Sequence, residues 1–293
     1  MEMLLQTFVN GVMGSLILIL ISAGLCLIFG ILHIVNFAHG EFFMLGGFGV
    51  WWFFDLHSIP IGGPDTIRYI LAMILTIILV GLIGIFVERF FFRPFHGNLI
   101  ATMIVALGIV FILQASALVS FGARDKSVAS PFEGTLNIGG ISLSGERMAA
   151  IICGVVFILA LYFLIRWTKL GKAMRAVAQD LEAAQVQGVN IGRIFSVAMF
   201  VSCGLAAAGG ALVGPIFYIN PYMGAEPVMK AFVVIILGGM GSLLGAVIGG
   251  FIIGMTESFA TTYVGAHFAM VIVFLIMIGV LLIKPTGIFG HAE

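Results

Sequence analysis

The side chains best suited to chemistry are His39 and Glu41, which lie in a polar interruption, residues 36–41, between two apolar runs. Ionisable groups inside a membrane are costly, so they are functional hypotheses by default, as substrate contacts or proton carriers. A structural role is equally open, because a helix that ends within the membrane must satisfy its backbone groups there. We place Asn36, His39, Gly40 and Glu41 on a candidate translocation path.

Further charged residues lie in the second half of the chain. Glu257 follows a glycine-rich turn. With His39 and Glu41 it would form the proton or cation relay of an ion-coupled secondary transporter. We keep this as the alternative to the ATP-driven transport considered below. Glu226 and Lys230 have i,i+4 spacing, and we expect them to form an exposed pair that contributes little to stability.

No enzymatic site is predicted. The sequence contains no GxxxxGK[ST] loop, no HExxH and no GxSxG, so we assign no catalytic residue and no metal ligand. If ATP is used, another chain must bind it. Cys26, Cys153 and Cys203 lie within apolar runs, where cysteine is usually a small hydrophobic residue.

Composition defines the class of protein. Hydrophobic residues make up 61% of the chain and charged residues 9%, whereas about a quarter of an ordinary soluble domain is charged. The net charge is zero, so nothing indicates a nucleic-acid partner. We predict an all-α polytopic transmembrane bundle in which residues 1–293 form a single transmembrane domain in contact with lipid, with about eight spans, some broken or re-entrant.

The spans follow from the apolar runs, since a bilayer core needs about 20 apolar residues per helix. The predicted full, short or broken spans are residues 9–32, 42–54, 69–87, 99–121, 148–165, 194–218, 227–237, 243–262 and 268–283. The chain begins without the basic region of a signal peptide, so we expect the first run to be retained.

Two short spans carry similar glycine-bearing stretches, LGGFG at 45–49 and LGGMG at 237–241. Interrupted segments in corresponding places of two halves indicate a transporter's substrate path. Gly238, Gly239, Gly241 and Ser242 are therefore further candidate path residues, and the helices on either side of them are predicted to form a re-entrant or broken pair.

The polar segment, residues 166–193, is too polar to lie in lipid but rich in helix-forming residues. Counting spans places this segment on the same membrane face as Arg89 and Arg93. The positive-inside rule makes that face cytoplasmic, and we expect the C-terminus to lie on it as well. A charged, short-helix segment held at a membrane face indicates docking of a partner.

Within this segment, Glu182-Ala183-Ala184 is followed after three residues by Gly188. This resembles the EAA-x3-G start of the loop through which permeases of ABC importers engage their ATPase subunits. These residue types suit docking of a short helix into a groove of a partner. Glu182 offers a charge to the groove, the two small alanines allow close contact, and Gly188 ends the helix. The Ile-x-Leu-Pro tail of that motif is absent, and VNIGR stands there instead. The candidate coupling residues are Arg175, Asp180, Glu182, Ala183, Ala184 and Gly188.

The order of motifs along the chain resembles that of one family. Six motifs follow one another in the order seen in the LivH-type permeases of branched-chain amino acid ABC importers. They are VNFAHGE at 35–41, the 169–193 loop with AQD at 178–180, NPY at 220–222, KAF at 230–232, GGMGS at 238–242 and PTG at 285–287. The resemblance implies a bacterial inner-membrane subunit with a homologous permease, two ATP-binding subunits and a periplasmic substrate-binding protein as partners.

The resemblance also implies that this chain binds no cofactor, since ATP and magnesium would be held by the ATPase subunits. It leaves the substrate open, because relatives are assigned to urea, short amides and aromatic acids as well as to leucine, isoleucine and valine.

Overall fold

A computed structural model describes residues 2–56, 64–132, 134–138 and 141–290, and α-helices account for most of these residues. The helices are α1 (Glu2–Leu32), α2 (His39–Val50), α3 (Asp65–Val87), α4 (Leu99–Phe121), α5 (Gly145–Trp167), α6 (Lys169–Gln179), α7 (Leu181–Val186), α8 (Ile191–Val213), α9 (Ala225–Gly238), α10 (Leu243–Tyr263) and α11 (Ala266–Ile283). A hairpin of two antiparallel strands, β1 (Thr135–Ile138) and β2 (Ile141–Ser144), precedes α5. The predicted all-α polytopic fold is confirmed.

Within the described ranges, seven helices are long and apolar enough to cross a membrane: α1, α3 with its extension to Phe95, α4, α5, α8, α10 and α11. The helix α2 has 12 residues and continues through a six-residue π-helix, Trp51–Leu56, and α9 has 14 residues. At about 1.5 Å per residue they are shorter than the roughly 30 Å of a hydrocarbon core. They correspond to the two short spans predicted from the sequence.

Seven of the basic residues gather at one end of the bundle, which we call the basic end. The helix α3 continues through a π-helix, Glu88–Phe92, and a short turn, Arg93–Phe95, before α4 begins. Arg93 donates a hydrogen bond to the carbonyl of Gly192, near the end of the polar segment, so this turn and the polar segment share the same end. The charged residues there include Arg89, Arg93, Arg166, Lys169, Lys172, Arg175 and Arg193.

The centre of the bundle is formed by α1 and α8. The helix α1 packs along α10, where Gly250 and Gly254 face Ile19 and Ser15 of α1 at close range. The helix α8 packs between α2 and α3, and a Cβ on its Gly210 would overlap the carbonyl oxygen of Phe43. Small residues that allow such close approach are the usual means by which helices associate in lipid.

The helices α4, α5 and α11 lie at the periphery. Along their lengths they expose large apolar side chains, among them Phe111, Phe163 and Leu282. Contiguous apolar surface of this extent faces lipid or another subunit rather than water.

Candidate functional site

A helix break is present between α1 and α2, but it lies at residues 33–38 rather than at the predicted 36–41, because residues 39–41 already form the first turn of α2. Residues 33–36 have no regular structure, and α2 begins at His39. The side chain of Asn36 accepts a hydrogen bond from the backbone nitrogen of Ala38 at 3.1 Å. His39 Nε2 donates to the carbonyl oxygen of Ile21 at 3.0 Å, in the middle of α1. Both side chains are fully buried, so the break is fixed within the bundle.

Glu41 and Gly40 connect this break to two other helices. Gln114 of α4 donates from Nε2 to Glu41 Oε1 at 2.9 Å, and Gly40 packs directly on the backbone of Gly224, just before α9. Glu41 is buried. The four residues in and beside the break that we assigned to the path thus lie at a junction of helices, and their contact with a substrate stays a prediction.

The glycine turn at residues 238–242 joins α9 to α10. Gly239 and Gly241 have φ values of +101° and +83°, which L side chains rarely adopt. Ser242 caps α10 by accepting a hydrogen bond from the nitrogen of Gly245 at 3.1 Å. Gly241 packs against Gly30, near the end of α1.

The chain after α11 closes over this turn. The nitrogens of Ile288 and Phe289 donate to the carbonyls of Leu237 and Gly238 at 2.8 and 3.0 Å. The predicted paired helices around Gly238 are therefore present, and the turn between them, with Gly238, Gly239, Gly241 and Ser242, lies near the end of α1. Contact of these four residues with a substrate stays a prediction.

The polar segment folds into α6 and α7. Asp180 caps α7 by accepting a hydrogen bond from the nitrogen of Ala183 at 2.9 Å, and Gly188, at φ +83°, follows the helix end. Such a cap and a left-handed glycine are typical helix boundaries. Ala184 is buried, whereas Glu182 and Ala183 are exposed. The helix α7 therefore presents a free face to a partner.

The helix α6 is fixed to the bundle by its other face. Gly171, Met174 and Val177 are buried at helical spacing. Arg175 donates to the carbonyl oxygen of Ile165 at the end of α5, so its guanidinium anchors the segment to α5. A contact between Arg175 and an ATPase stays a prediction.

A polar cluster that the sequence did not predict joins α8 to α3, and we call it the clamp: Glu88, Arg93, Gly192 and Ser196. Arg93 donates to both carboxylate oxygens of Glu88, at 2.9 and 2.8 Å, and to Ser196 Oγ at 2.9 Å. Ser196 Oγ donates to Glu88 Oε2 at 2.8 Å. Glu88 is fully buried, so a buried carboxylate holds two helices together by charge-assisted hydrogen bonds.

An aromatic contact extends the clamp. The rings of His96 and Phe195 stack with centroids 4.4 Å apart. Burial lowers the pKa of His96 below its ordinary value of 6.5, so the ring is neutral at pH 7. Glu88 follows an apolar run and precedes Arg93 by five residues, but its partner on α8 is about 100 residues away, which sequence spacing does not reveal.

A cavity of about 580 Å³ lies at the end of the bundle opposite the polar segment, and we call it the far-end cavity. Its wall comes from α1, α8, α9 and α10 and from Phe43 of α2. Apolar side chains such as Met13 and Ile17 line it together with Asn10, Arg147, Glu226, Lys230 and Glu257. A volume of several hundred cubic ångströms suits a small ligand.

Lys230 is the central charge of the far-end cavity. Its Nζ lies 2.5 Å from Glu226 Oε1 and 2.5 Å from Glu257 Oε1, and its side chain is only 11% exposed. The expectation of a simple exposed pair is therefore wrong. Helical spacing predicted the contact between Glu226 and Lys230. The packing of α9 on α10 also brings Glu257 to the Lys230 ammonium group and buries that group.

Comparison with known proteins was made for the whole chain. Residues 7–281 match the model of a family described as the permease component of branched-chain amino acid transport systems. The chain is 36% identical to the high-affinity branched-chain amino acid transport system permease protein LivH of Salmonella typhimurium and of Escherichia coli K12, over 99% of this chain and 96% of each relative. It is 32% identical to the permease protein BraD of Pseudomonas aeruginosa over the same shares. No solved structure matches the chain significantly.

Proposed function

The chain belongs to the permease-component family of branched-chain amino acid transport systems, and we propose that it forms one side of a membrane pathway for leucine, isoleucine, valine or a related small amphipathic solute. It is a multi-pass membrane permease of the ABC transport type. Two closely related permeases, LivH and BraD, are named for branched-chain amino acids, which supports this substrate class.

The energy for transport comes, in this proposal, from ATP and magnesium bound on two separate ATPase subunits. The observation that carries it is α7, because its exposed Glu182 and Ala183 stand on a short helix whose other side is packed on the bundle. A small helix with one free face is the form in which a helix docks into a partner's groove.

The contacts of the polar segment provide a route for motion from an ATPase into the bundle. Arg175 ties α6 to the end of α5. The clamp ties the start of α8 to α3 through Glu88 and Arg93. A displacement of α7 would therefore pull on both sides of the segment at once, and α3, α5 and α8 would move with it. Packed elements of this kind shift as rigid bodies rather than deforming continuously.

Two further partners follow from the proposal that the chain is a permease of an ABC importer. A homologous permease would complete the pathway, and a periplasmic substrate-binding protein would deliver the solute at the end that carries the far-end cavity. The basic end would face the cytoplasm of a bacterium, because arginine and lysine next to spans remain on that side. The exposed apolar faces of α4, α5 and α11 leave room for lipid and for the second permease.

An ion-coupled transporter is the second candidate. It is favoured by Glu41 Oε2 and His39 Nδ1, two buried polar atoms without a hydrogen-bond partner in the described part of the chain. Ion relays through a membrane use such groups. Uptake that requires an ion gradient and no ATPase would favour this candidate.

The test of ATPase coupling is Glu182→Lys in the assembled transporter. Reversing the charge on the free face of α7 should separate ATP hydrolysis from uptake while the amount of permease in the membrane stays unchanged. Glu2→Lys makes the same charge change at an exposed position of α1 and serves as the control. Uptake by Glu182→Lys equal to that of Glu2→Lys would exclude docking through α7.

A further inference from the structure

The far-end cavity has the charge pattern of a zwitterion receptor. Two carboxylates, Glu226 and Glu257, and two cations, Lys230 and Arg147, line the same space, so their formal charges cancel. An α-amino acid is also neutral overall and carries one ammonium and one carboxylate group. Its binding adds one charge of each sign and leaves the balance of the cavity unchanged.

The exposure of these groups shows which are free to bind a ligand. The side chain of Glu226 is 69% exposed although one oxygen contacts Lys230, so its carboxylate can accept hydrogen bonds from a ligand ammonium group. Arg147 donates one hydrogen bond to Asn10 Oδ1 at 2.6 Å, and a guanidinium has five N–H donors. Arg147 therefore supplies several donors for a ligand carboxylate, and Lys230, two of whose three donors already contact Glu226 and Glu257, supplies one.

The start of α9 adds to the positive side of the cavity. The helix begins at Ala225, its cap residue Gly224 makes no side-chain hydrogen bond to it, and Glu226 and Pro227 line the cavity. The N-terminal end of a helix carries a partial positive charge, although here the Ala225 nitrogen already donates to the carbonyl of Tyr222 and Pro227 has no N–H. A carboxylate near Lys230 would also benefit from this end.

Part of the remaining wall is apolar, although Tyr218, Asn220, Ser258, Thr261 and Thr262 also line the cavity. Met13, Ile17 and Leu18 of α1, together with Phe43 and Val213, line the cavity, and such side chains suit an aliphatic group but offer no partner to a sugar hydroxyl or an amide. Charged groups together with an apolar patch in one cavity match the two parts of a leucine-like molecule.

We propose that the far-end cavity binds a free aliphatic α-amino acid as its zwitterion, with Glu226 at the ammonium group, Lys230 and Arg147 at the carboxylate group and the α1 wall at the side chain. This inference rests on the proposed function, and it adds to it a site on the permease that contributes its own selectivity. Because Lys230 already contacts two carboxylates, the ligand carboxylate replaces part of an existing ion pair, and we expect weak binding.

Gly14 offers a way to fill this cavity without disturbing the fold. It lines the cavity, and a Cβ built on it meets no atom within 4 Å. Gly14→Phe therefore places a ring in the space of the ligand. Gly108→Phe is the matched control, since a Cβ at this exposed position of α4 also meets nothing within 4 Å.

The experiment measures two quantities with the complete transporter in its lipid environment. The first is ATP-driven uptake of radiolabelled leucine supplied by the binding protein. The second is equilibrium binding of radiolabelled leucine to the permease and ATPase subunits in nanodiscs without the binding protein, with competition by 4-methylpentanoate, which lacks the ammonium group, and 3-methylbutylamine, which lacks the carboxylate group.

Saturable leucine binding is expected, with each competitor weaker than leucine by roughly tenfold or more, because each lacks one set of charged hydrogen bonds. Gly14→Phe should lose binding and at least about nine-tenths of uptake, whereas Gly108→Phe should keep both. Glu226→Gln should weaken leucine binding by a similar roughly tenfold factor. It should leave competition by 4-methylpentanoate unchanged.

Uptake by wild type with no saturable leucine binding, or equal uptake by Gly14→Phe and Gly108→Phe, would overturn the cavity proposal and leave the proposed function intact. Failure of the wild-type transporter to take up any branched-chain amino acid would overturn the proposed function itself, and this inference with it.

Discussion

Arg93→Leu removes the cationic partner of a buried carboxylate, and the structure predicts a large loss of stability from it. Arg93 supplies two of the hydrogen bonds to the buried carboxylate of Glu88, and without it only Ser196 Oγ remains. Breaking a buried ion pair by removing one partner costs about 3–5 kcal/mol. The side chain of Arg93 is 36% exposed, so water moderates the loss and we expect about 3 kcal/mol.

The measurement is the free energy of unfolding of the purified permease in mixed micelles of a mild detergent and dodecyl sulfate. Arg89→Leu is the matched control, because Arg89 is exposed on the same turn and should change the unfolding free energy by less than about 0.5 kcal/mol. The double variant Glu88→Leu with Arg93→Leu should recover most of the loss, since no buried charge is then left without its partner.

Two results would refute this reasoning. Equal destabilisation by Arg93→Leu and Arg89→Leu would mean that Glu88 is not held by Arg93. A double variant no more stable than Arg93→Leu alone would mean that the loss comes from the contact with Gly192 rather than from the stranded carboxylate. If the clamp also transmits motion, the double variant folds but takes up less leucine per ATP hydrolysed.

Three further predictions concern helix packing, capping and pH. Gly210→Ala should strongly lower the amount of folded permease, because a Cβ there overlaps the Phe43 carbonyl, whereas Gly108→Ala should not; fluorescence-detected size exclusion compares the two. Asp180→Ala should lower the stability of α7 by about 1 kcal/mol, because it removes the cap hydrogen bond to Ala183. Faster proteolysis within the polar segment would show this loss. Because burial lowers the pKa of His96, stability that is present above pH 6.5 should be lost as the pH falls below 6.5, and His96→Phe should reduce that loss in a melting series.

The sequence predicts the helices well where their boundaries have local causes. The span 99–121 matches α4 at both ends, because Asn98 caps the first turn and Gly122 ends the last. The break before His39 and the turn at Gly238 were also predicted, since polar residues and glycines interrupt apolar runs there. Such signals depend on residues a few positions apart, which makes them readable without a structure.

The contacts between helices were not predictable in the same way. Lys230 was expected to be exposed because only Glu226 lies at helical spacing from it, and Glu257 reaches it only when α9 folds back on α10. Glu88 and Ser196 meet because α3 and α8 are antiparallel. These pairings depend on packing geometry, and spacing along one chain carries no information about it.

The central claim, that ATP hydrolysis on separate subunits drives this permease, is tested most directly by leucine uptake into proteoliposomes. The vesicles contain the permease with its partner permease and ATPase subunits, and the binding protein is outside. The account predicts uptake that requires ATP on the side of the basic end and persists when ion gradients are collapsed by ionophores. Uptake by the permease subunits alone, driven by a proton or sodium gradient and unaffected by ATP, would contradict it.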